Sequence, residues 1–127
     1  MLDASSGPKS GEGMWLWLFK ILSGGIIIFL LIVHFIVNHL VAPGGLLSWA
    51  DVVRYYTNPV IPIMEIGFLA FVVSHSLIGL RSIILDLKPS RSILKVVDWL
   101  FILVGVFAVI YGIWLVFAII AQGNIVH

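Results

Sequence analysis

The chain has 127 residues, of which 61% are hydrophobic and only 10% charged, with a formal net charge of +1 and a mean hydropathy of +1.19. A soluble domain carries about a quarter charged residues, so this composition excludes an ordinary water-soluble globule, and the near-neutral balance gives no footprint for nucleic acid. The absence of cysteine excludes a disulfide framework and a thiolate iron–sulfur site within the chain.

In chain order, residues 1–13, MLDASSGPKSGEG, are polar and rich in Gly and Ser. They lack the Arg-rich amphipathic character of an organelle transit peptide and hold no short apolar run before a cleavage site. They read as a short cytoplasmic tail, mobile or bound to a partner. Three long apolar stretches follow, over residues 15–41, 60–85 and 96–121. Each reaches the roughly 20 residues needed to cross a hydrocarbon core about 30 Å thick. The fold class is an all-α membrane protein of three transmembrane helices, with residues 14–127 forming one domain in the lipid. Three helices leave faces uncovered, and a partner membrane chain is expected on them.

Lys and Arg set the orientation. Lys9 and Lys20 flank the start of the first helix, and Arg81, Lys88, Arg91 and Lys95 lie around the second loop, whereas the first loop carries only Arg54. The N-terminus and the second loop are therefore expected in the cytoplasm, the first loop and the C-terminus outside. The first loop, APGGLLSWADVVRYYTNP, is long enough for a short amphipathic segment on the membrane surface. Trp15, Trp17, Trp49, Tyr55, Tyr56 and Trp99 lie near predicted helix ends, where interfacial aromatics belong. Pro59, Pro62 and Pro89 sit at or before helix starts, where a missing N–H costs little.

His34 and His75 lie inside the first and second spans. An ionisable residue at that depth is a functional hypothesis by default, and His is the commonest metal ligand among side chains. On the second helix His75, Gly79, Ser82 and Asp86 share one stripe. Gly79 removes the side chain that would strike a flat ligand, and haem is the leading candidate. On the first helix Ser23, Ile27, Leu30, His34 and Asn38 line one stripe, with Gly24 and Gly25 beside it. Measured from the outer helix ends, His34 lies roughly 10 Å deep and His75 roughly 20 Å. That offset keeps the pair from serving one iron. Each then needs a second ligand from another chain, and the pattern suggests two haems stacked across the membrane, suited to electron transfer. The plainer reading is that each His hydrogen-bonds across a helix interface. His39 reads as interfacial, His127 as solvated, Glu65 as a snorkelling side chain. Asp86 reads equally as a helix-end charge paired with Arg81 or Lys88.

The residues also resemble a known family. The run SHSLIGLRSIILDLKP, residues 74–89, is similar to the second membrane helix of the small, D-type membrane anchor of succinate dehydrogenase (respiratory complex II). That helix shows a His, a Gly four on, an Arg two after that and an Asp eleven after the His; here these are His75, Gly79, Arg81 and Asp86. The run WLFKILSGGIIIFLLIVHF resembles the first helix of two-haem anchors of actinobacterial and archaeal type, through Trp17, Phe19, Ser23, Gly24 and His34. With VFAVIYGIWLVF in the third helix, the likeness covers about residues 15–121.

The resemblance implies half of a heterodimeric helix bundle in a prokaryotic inner (plasma) membrane. Its partners are a second, C-type membrane anchor, together with an iron–sulfur subunit and a flavoprotein subunit on the cytoplasmic side. Succinate is then oxidised at the flavin, this chain is a non-catalytic subunit, and electrons reach quinone, menaquinone or ubiquinone, through the iron–sulfur clusters. The resemblance implies haem b on His75 nearer the clusters and on His34 further away, each completed by a His of the second anchor. Gly79, Ser82, Arg81, Asp86 and Ser23 lie in the cofactor-binding motifs. The family's quinone-bonding Tyr after the Asp is Leu87 here, so a quinone role for the segment falls on Asp86; the family's Arg two residues before the Ser is Ile21, with Lys20 adjacent. The anchor of a fumarate reductase shares this architecture. The competing class is a non-redox small membrane channel or scaffold, in which both histidines pack or relay protons.

The orientation has a direct test. A cysteine at Ser90 should be protected from a membrane-impermeant thiol reagent in intact cells, and one at Ser48 should label. The opposite pattern would invert the chain.

Overall fold

The computed structural model describes residues 12–125. Among these are three helices long and apolar enough to cross a membrane, and no strand. Helix α1, Met14–Phe35, continues through a π-helical turn, Ile36–Val41, giving a span of 28 residues. A 3-10 turn, Pro43–Gly45, and a short helix α2, Trp49–Tyr55, make up the first loop. Helix α3 is Val60–Asp86 and helix α4 is Arg91–Ile125. Of the tail expected over residues 1–13, only Glu12 and Gly13 fall within the described residues, and His127 lies outside them.

The first two spans agree with the hydropathy reading. The third is longer than expected: α4 begins at Arg91 and runs for 35 residues, about 52 Å at 1.5 Å per residue. Pro89 cannot continue a helix, and Ser90 accepts a hydrogen bond from the Ile93 N–H at 3.3 Å. The first turns of α4, with Arg91, Ser92 and Lys95, are helical but polar. Hydropathy registers only the part of a helix that suits hydrocarbon, so it placed the start too late. Helix α3 ends at Asp86 and is followed, after Leu87, by Lys88 at φ 50°, a left-handed residue of the kind that closes many helices. The turn between α3 and α4 is therefore short, and the two helices run antiparallel.

The first loop is built from local hydrogen bonds. Gly44 and Gly45 have φ of 74° and 78°, a region glycine enters at no steric cost. His39 Nδ1 lies 3.1 Å from the Gly45 carbonyl and closes this turn. Ser48 caps α2: its hydroxyl accepts from the Asp51 N–H at 3.3 Å, while Asp51 accepts from the Ser48 N–H at 2.9 Å. The Ser48 hydroxyl, 2.7 Å from Asp51 Oδ2, and then the Ser48 N–H hold the Asp51 carboxyl below its ordinary pKa. The expected surface segment is thus a capped helix, and it packs beside the end of α4, where Gly123 meets Val53 and Thr57.

Helix α3 lies between α1 and α4. Its seam with α4 is notched by glycine. A Cβ on Gly105 would stand 2.9 Å from Leu77 of α3, and one on Gly112 would overlap the Leu69 side chain. Small residues let membrane helices approach closely, which is how packing is gained where lipid is as apolar as the side chains. Large apolar side chains such as Trp15, Phe107 and Trp114 remain exposed, as lipid-facing or partner-facing residues do.

Filling the notch should separate α3 from α4. Gly112→Leu is expected to destabilise the assembled protein by about 1–3 kcal/mol, the usual range for overpacking, read as a lowered thermal midpoint in detergent. An unchanged midpoint would show that the seam does not depend on this contact.

Candidate functional site

The polar side chains within the spans meet along the seam between α1 and α3. Ser23 is 1% exposed. Its Oγ lies 3.0 Å from His75 Nδ1 and donates to the Lys20 carbonyl at 3.1 Å. Gly24 lies against the same imidazole: a Cβ there would be 3.2 Å from His75 Cε1. Phe19 and Phe71 stack across the seam, ring centroids 6.3 Å apart. His75 Nε2 has no hydrogen-bond partner among the described residues. One turn beyond His75, Gly79 faces open space, with nothing within 4 Å of the position of a Cβ.

A second cluster lies toward the charged end. The Lys20 ammonium bridges Glu12, at 2.7 Å, and Ser82 Oγ, at 3.0 Å. The Glu12 carboxylate is 2% exposed and Ser82 is buried. On the opposite flank of α3, Arg81 makes a two-pronged pair with Asp98 of α4, Nε to Oδ1 at 2.6 Å and Nη2 to Oδ2 at 3.2 Å. Charged groups at membrane depth pair with one another, and these two clusters pin both neighbours of α3. Arg81 is therefore engaged by Asp98 rather than by Asp86, for which the sequence offered Arg81 or Lys88 as a partner. Asp86 is exposed at the end of α3. An apolar groove of about 650 Å³ between α3 and α4, lined by Leu77, Phe101, Gly105 and Val106 among others, ends at the Arg81–Asp98 pair.

His34 lies in a different setting. Its Nδ1 is 3.9 Å from Glu65 Oε1, too long for a hydrogen bond. Its ring lies over Phe68 at 6.2 Å between centroids. The His34 carbonyl accepts from Asn38 Nδ2 at 2.9 Å, within the span's π-helical turn. A cavity of about 230 Å³ opens here, lined by His34, Asn38, Tyr55, Tyr56 and Glu65 among others. Burial, then the charge of Glu65, raises the Tyr56 phenol above its ordinary pKa.

The contacts also set the levels of the two histidines. His75 meets α1 at Ser23 and Gly24, and His34 meets α3 at Glu65 and Phe68. Counting along either helix, the imidazoles lie about 10–16 Å apart along the bundle at 1.5 Å per residue. They do not face one metal ion. Among the described residues no three His, Cys, Asp or Glu side chains form a chelating group, so a metal held by either histidine would take its remaining ligands from outside these residues.

The structure thus brings Ser23 to His75, and Ser82 to Lys20, and sends Arg81 away to α4. Three participants escaped the sequence reading: Glu12, taken as part of the tail; Asp98, an acid inside an apolar stretch; and the Tyr55–Tyr56 pair, which lines a cavity rather than only an interface. The signal for Asp98 was present, since an acidic residue in a span calls for a partner.

Comparison with known proteins agrees with this architecture. Residues 5–112 match the family model for the succinate dehydrogenase/fumarate reductase transmembrane subunit. The chain is 32% identical over 111 residues to the succinate dehydrogenase 2 membrane subunit SdhC of Mycobacterium tuberculosis, covering 83% of this chain and 81% of that one. It is 31% identical over 103 residues to the succinate dehydrogenase hydrophobic membrane anchor subunit of Archaeoglobus fulgidus, covering 81% of this chain and 87% of that one. No solved structure matches it. One relative is an SdhC and the other bears no such letter, so the likeness shows the anchor class without assigning the chain to the D type. Three apolar spans, a polar seam that pins them and these matches together place the chain in the family of succinate dehydrogenase/fumarate reductase transmembrane subunits, as a multi-pass membrane anchor.

Proposed function

We propose that this anchor binds haem b through His75, pairs with a second anchor that supplies the other axial ligand, and lies on the electron path from the docked iron–sulfur and flavoprotein subunits to quinone. The observation that carries the reading is the His75 imidazole, held on Nδ1 by Ser23 with Nε2 unpartnered, one turn from a glycine whose face this chain leaves open. The donor set fits a haem ligand: an imidazole nitrogen with no partner among the described residues, its other nitrogen on a hydrogen-bond partner, as metal-bound histidines have. A bound haem would supply a one-electron couple between clusters and quinone. The chain's own residues orient the imidazole, exclude water from the seam and leave room beside Gly79.

The charged end, with Lys20, Arg81, Lys88, Arg91 and Lys95, then faces the cytoplasm of a prokaryotic cell by the positive-inside rule, next to the catalytic subunits. His75 belongs to the half nearer them and His34 to the distal half. His34 would hold a second haem, completed in the same way. The approach of Glu65 to His34 favours another reading for that residue alone, a proton relay between imidazole and carboxylate. Ser82 and Asp86 would border the quinone site, most of which would come from the partner chains.

Redox titration of the b-type absorption in the purified complex tests the proposal. His75→Ala should remove one component and His34→Ala a different one. Loss of the same component in both variants would contradict separate haems, and absence of any b-type band from the wild-type complex would remove the haem function altogether. Full haem content in His34→Ala would select the proton relay at that residue.

The quinone border is tested separately. A charge-assisted contact from Asp86 through an ordered water or cation would contribute about 1.5–3 kcal/mol, so Asp86→Asn should lower quinone reduction while succinate oxidation by a soluble artificial acceptor persists. Unchanged quinone reduction in an assembled, haem-replete complex would make Asp86 a solvated helix end.

A further inference from the structure

We propose that Ser23 is a positioning residue for the axial ligand: it holds His75 in the tautomer protonated on Nδ1 and keeps the Nε2 lone pair free for iron. The inference rests on the reading of His75 as a haem ligand and adds a residue that sets that ligand's state.

Counting protons selects the tautomer. A serine hydroxyl has one proton to donate, and a backbone carbonyl can only accept. Ser23 Oγ lies 3.1 Å from the Lys20 carbonyl and 3.0 Å from His75 Nδ1. Both bonds form together in one way: the hydroxyl proton goes to Lys20, and the oxygen accepts from Nδ1–H. A neutral imidazole protonated on Nδ1 carries its lone pair on Nε2. The other tautomer fails twice. It would take the Ser23 proton from Lys20, and it would place an Nε2–H donor where the described residues offer no acceptor. Ser23 is 1% exposed, so solvent does not exchange into this arrangement.

Gly24 completes the arrangement. Its missing side chain lets the Cε1 edge of His75 lie against α1, so the ring is fixed along its Nδ1–Cε1 edge by two consecutive residues of one helix. The Ser–Gly pair of the α1 motif thus acts on the histidine of α3, not on His34 of its own helix.

The expected consequence is electronic. A hydrogen bond from the distal N–H of a ligated imidazole raises its basicity, which favours ferric over ferrous iron and lowers the midpoint potential. Removing the acceptor by Ser23→Ala should raise that potential. A tenfold change in the reduced-to-oxidised ratio at fixed ambient potential corresponds to about 59 mV for a one-electron couple, and a shift on that scale is expected. Ser23→Thr keeps the hydroxyl and should keep the wild-type value.

The experiment is a redox titration of the complex with Ser23, Ser23→Ala and Ser23→Thr, with electron paramagnetic resonance of the ferric low-spin signal on each. A positive shift in the alanine variant with restoration by threonine supports the proposal, as does haem lost in the alanine variant and kept in the threonine variant. Alanine and threonine variants that behave alike, whether both match the wild type or both lose haem, overturn it. A wild-type complex without b-type haem overturns the underlying reading as well. A haem-replete wild type beside an indifferent alanine variant overturns only the role of Ser23.

Discussion

Hydrocarbon offers no hydrogen bonds, so a polar side chain inside a span must find its partner in protein. The seams of this small bundle follow from that constraint. Lys20 reaches Ser82 and Glu12, Ser23 reaches His75, and Arg81 reaches Asp98. Each bond between spans has one end on α3, so α3 is tied on both sides and becomes the reference for its neighbours. No buried side-chain nitrogen or oxygen among the described residues is left without a partner. The Nε2 of His75, which has no partner among the described residues, is therefore not buried within the chain: the ring is tied down at one nitrogen and open at the other.

Packing reinforces the same geometry. Apolar burial within the chain is slight, with Ala42 and Val116 the buried hydrophobic residues, because lipid gives little reason to hide apolar surface. Close approach comes instead from glycine, Gly24 under His75 on one side of α3 and Gly105 and Gly112 under Leu77 and Leu69 on the other. The outer end is held differently, by the α2 cap and the fit of Gly123 against Val53 and Thr57. The wide exposed faces suit a subunit whose remaining contacts are with other chains.

The three spans were legible in the sequence because a bilayer imposes a length and a composition. The different levels of His34 and His75 were legible too, since a helix rises by a fixed amount per residue; the cross-seam contacts give a separation that includes the sequence value of about 10 Å and extends above it. What the sequence hid was partner choice. Arg81 lies five residues from Asp86 but seventeen from Asp98, and nearness in sequence suggests the first acid although five residues is not the three- or four-residue spacing that pairs side chains on a helix. The hydrogen bond to Asp98 depends on the short turn at Lys88, which no helix periodicity encodes. Glu12 was lost in the same way, as one charge in a polar tail. Ser23 stood on the right face of α1, yet its tie to His75, fifty-two residues away, needed the antiparallel register of α1 and α3.

Whether His75 is an axial haem ligand held by Ser23 is decided by a cryo-electron microscopy map of the assembled complex, resolved well enough to see side chains. Planar cofactor density is expected beside Gly79, with His75 Nε2 at coordination distance from iron and Nδ1 on Ser23. A partner side chain packed directly on Gly79 with no cofactor density, or a His75 ring turned so that Nε2 meets Ser23, would contradict it.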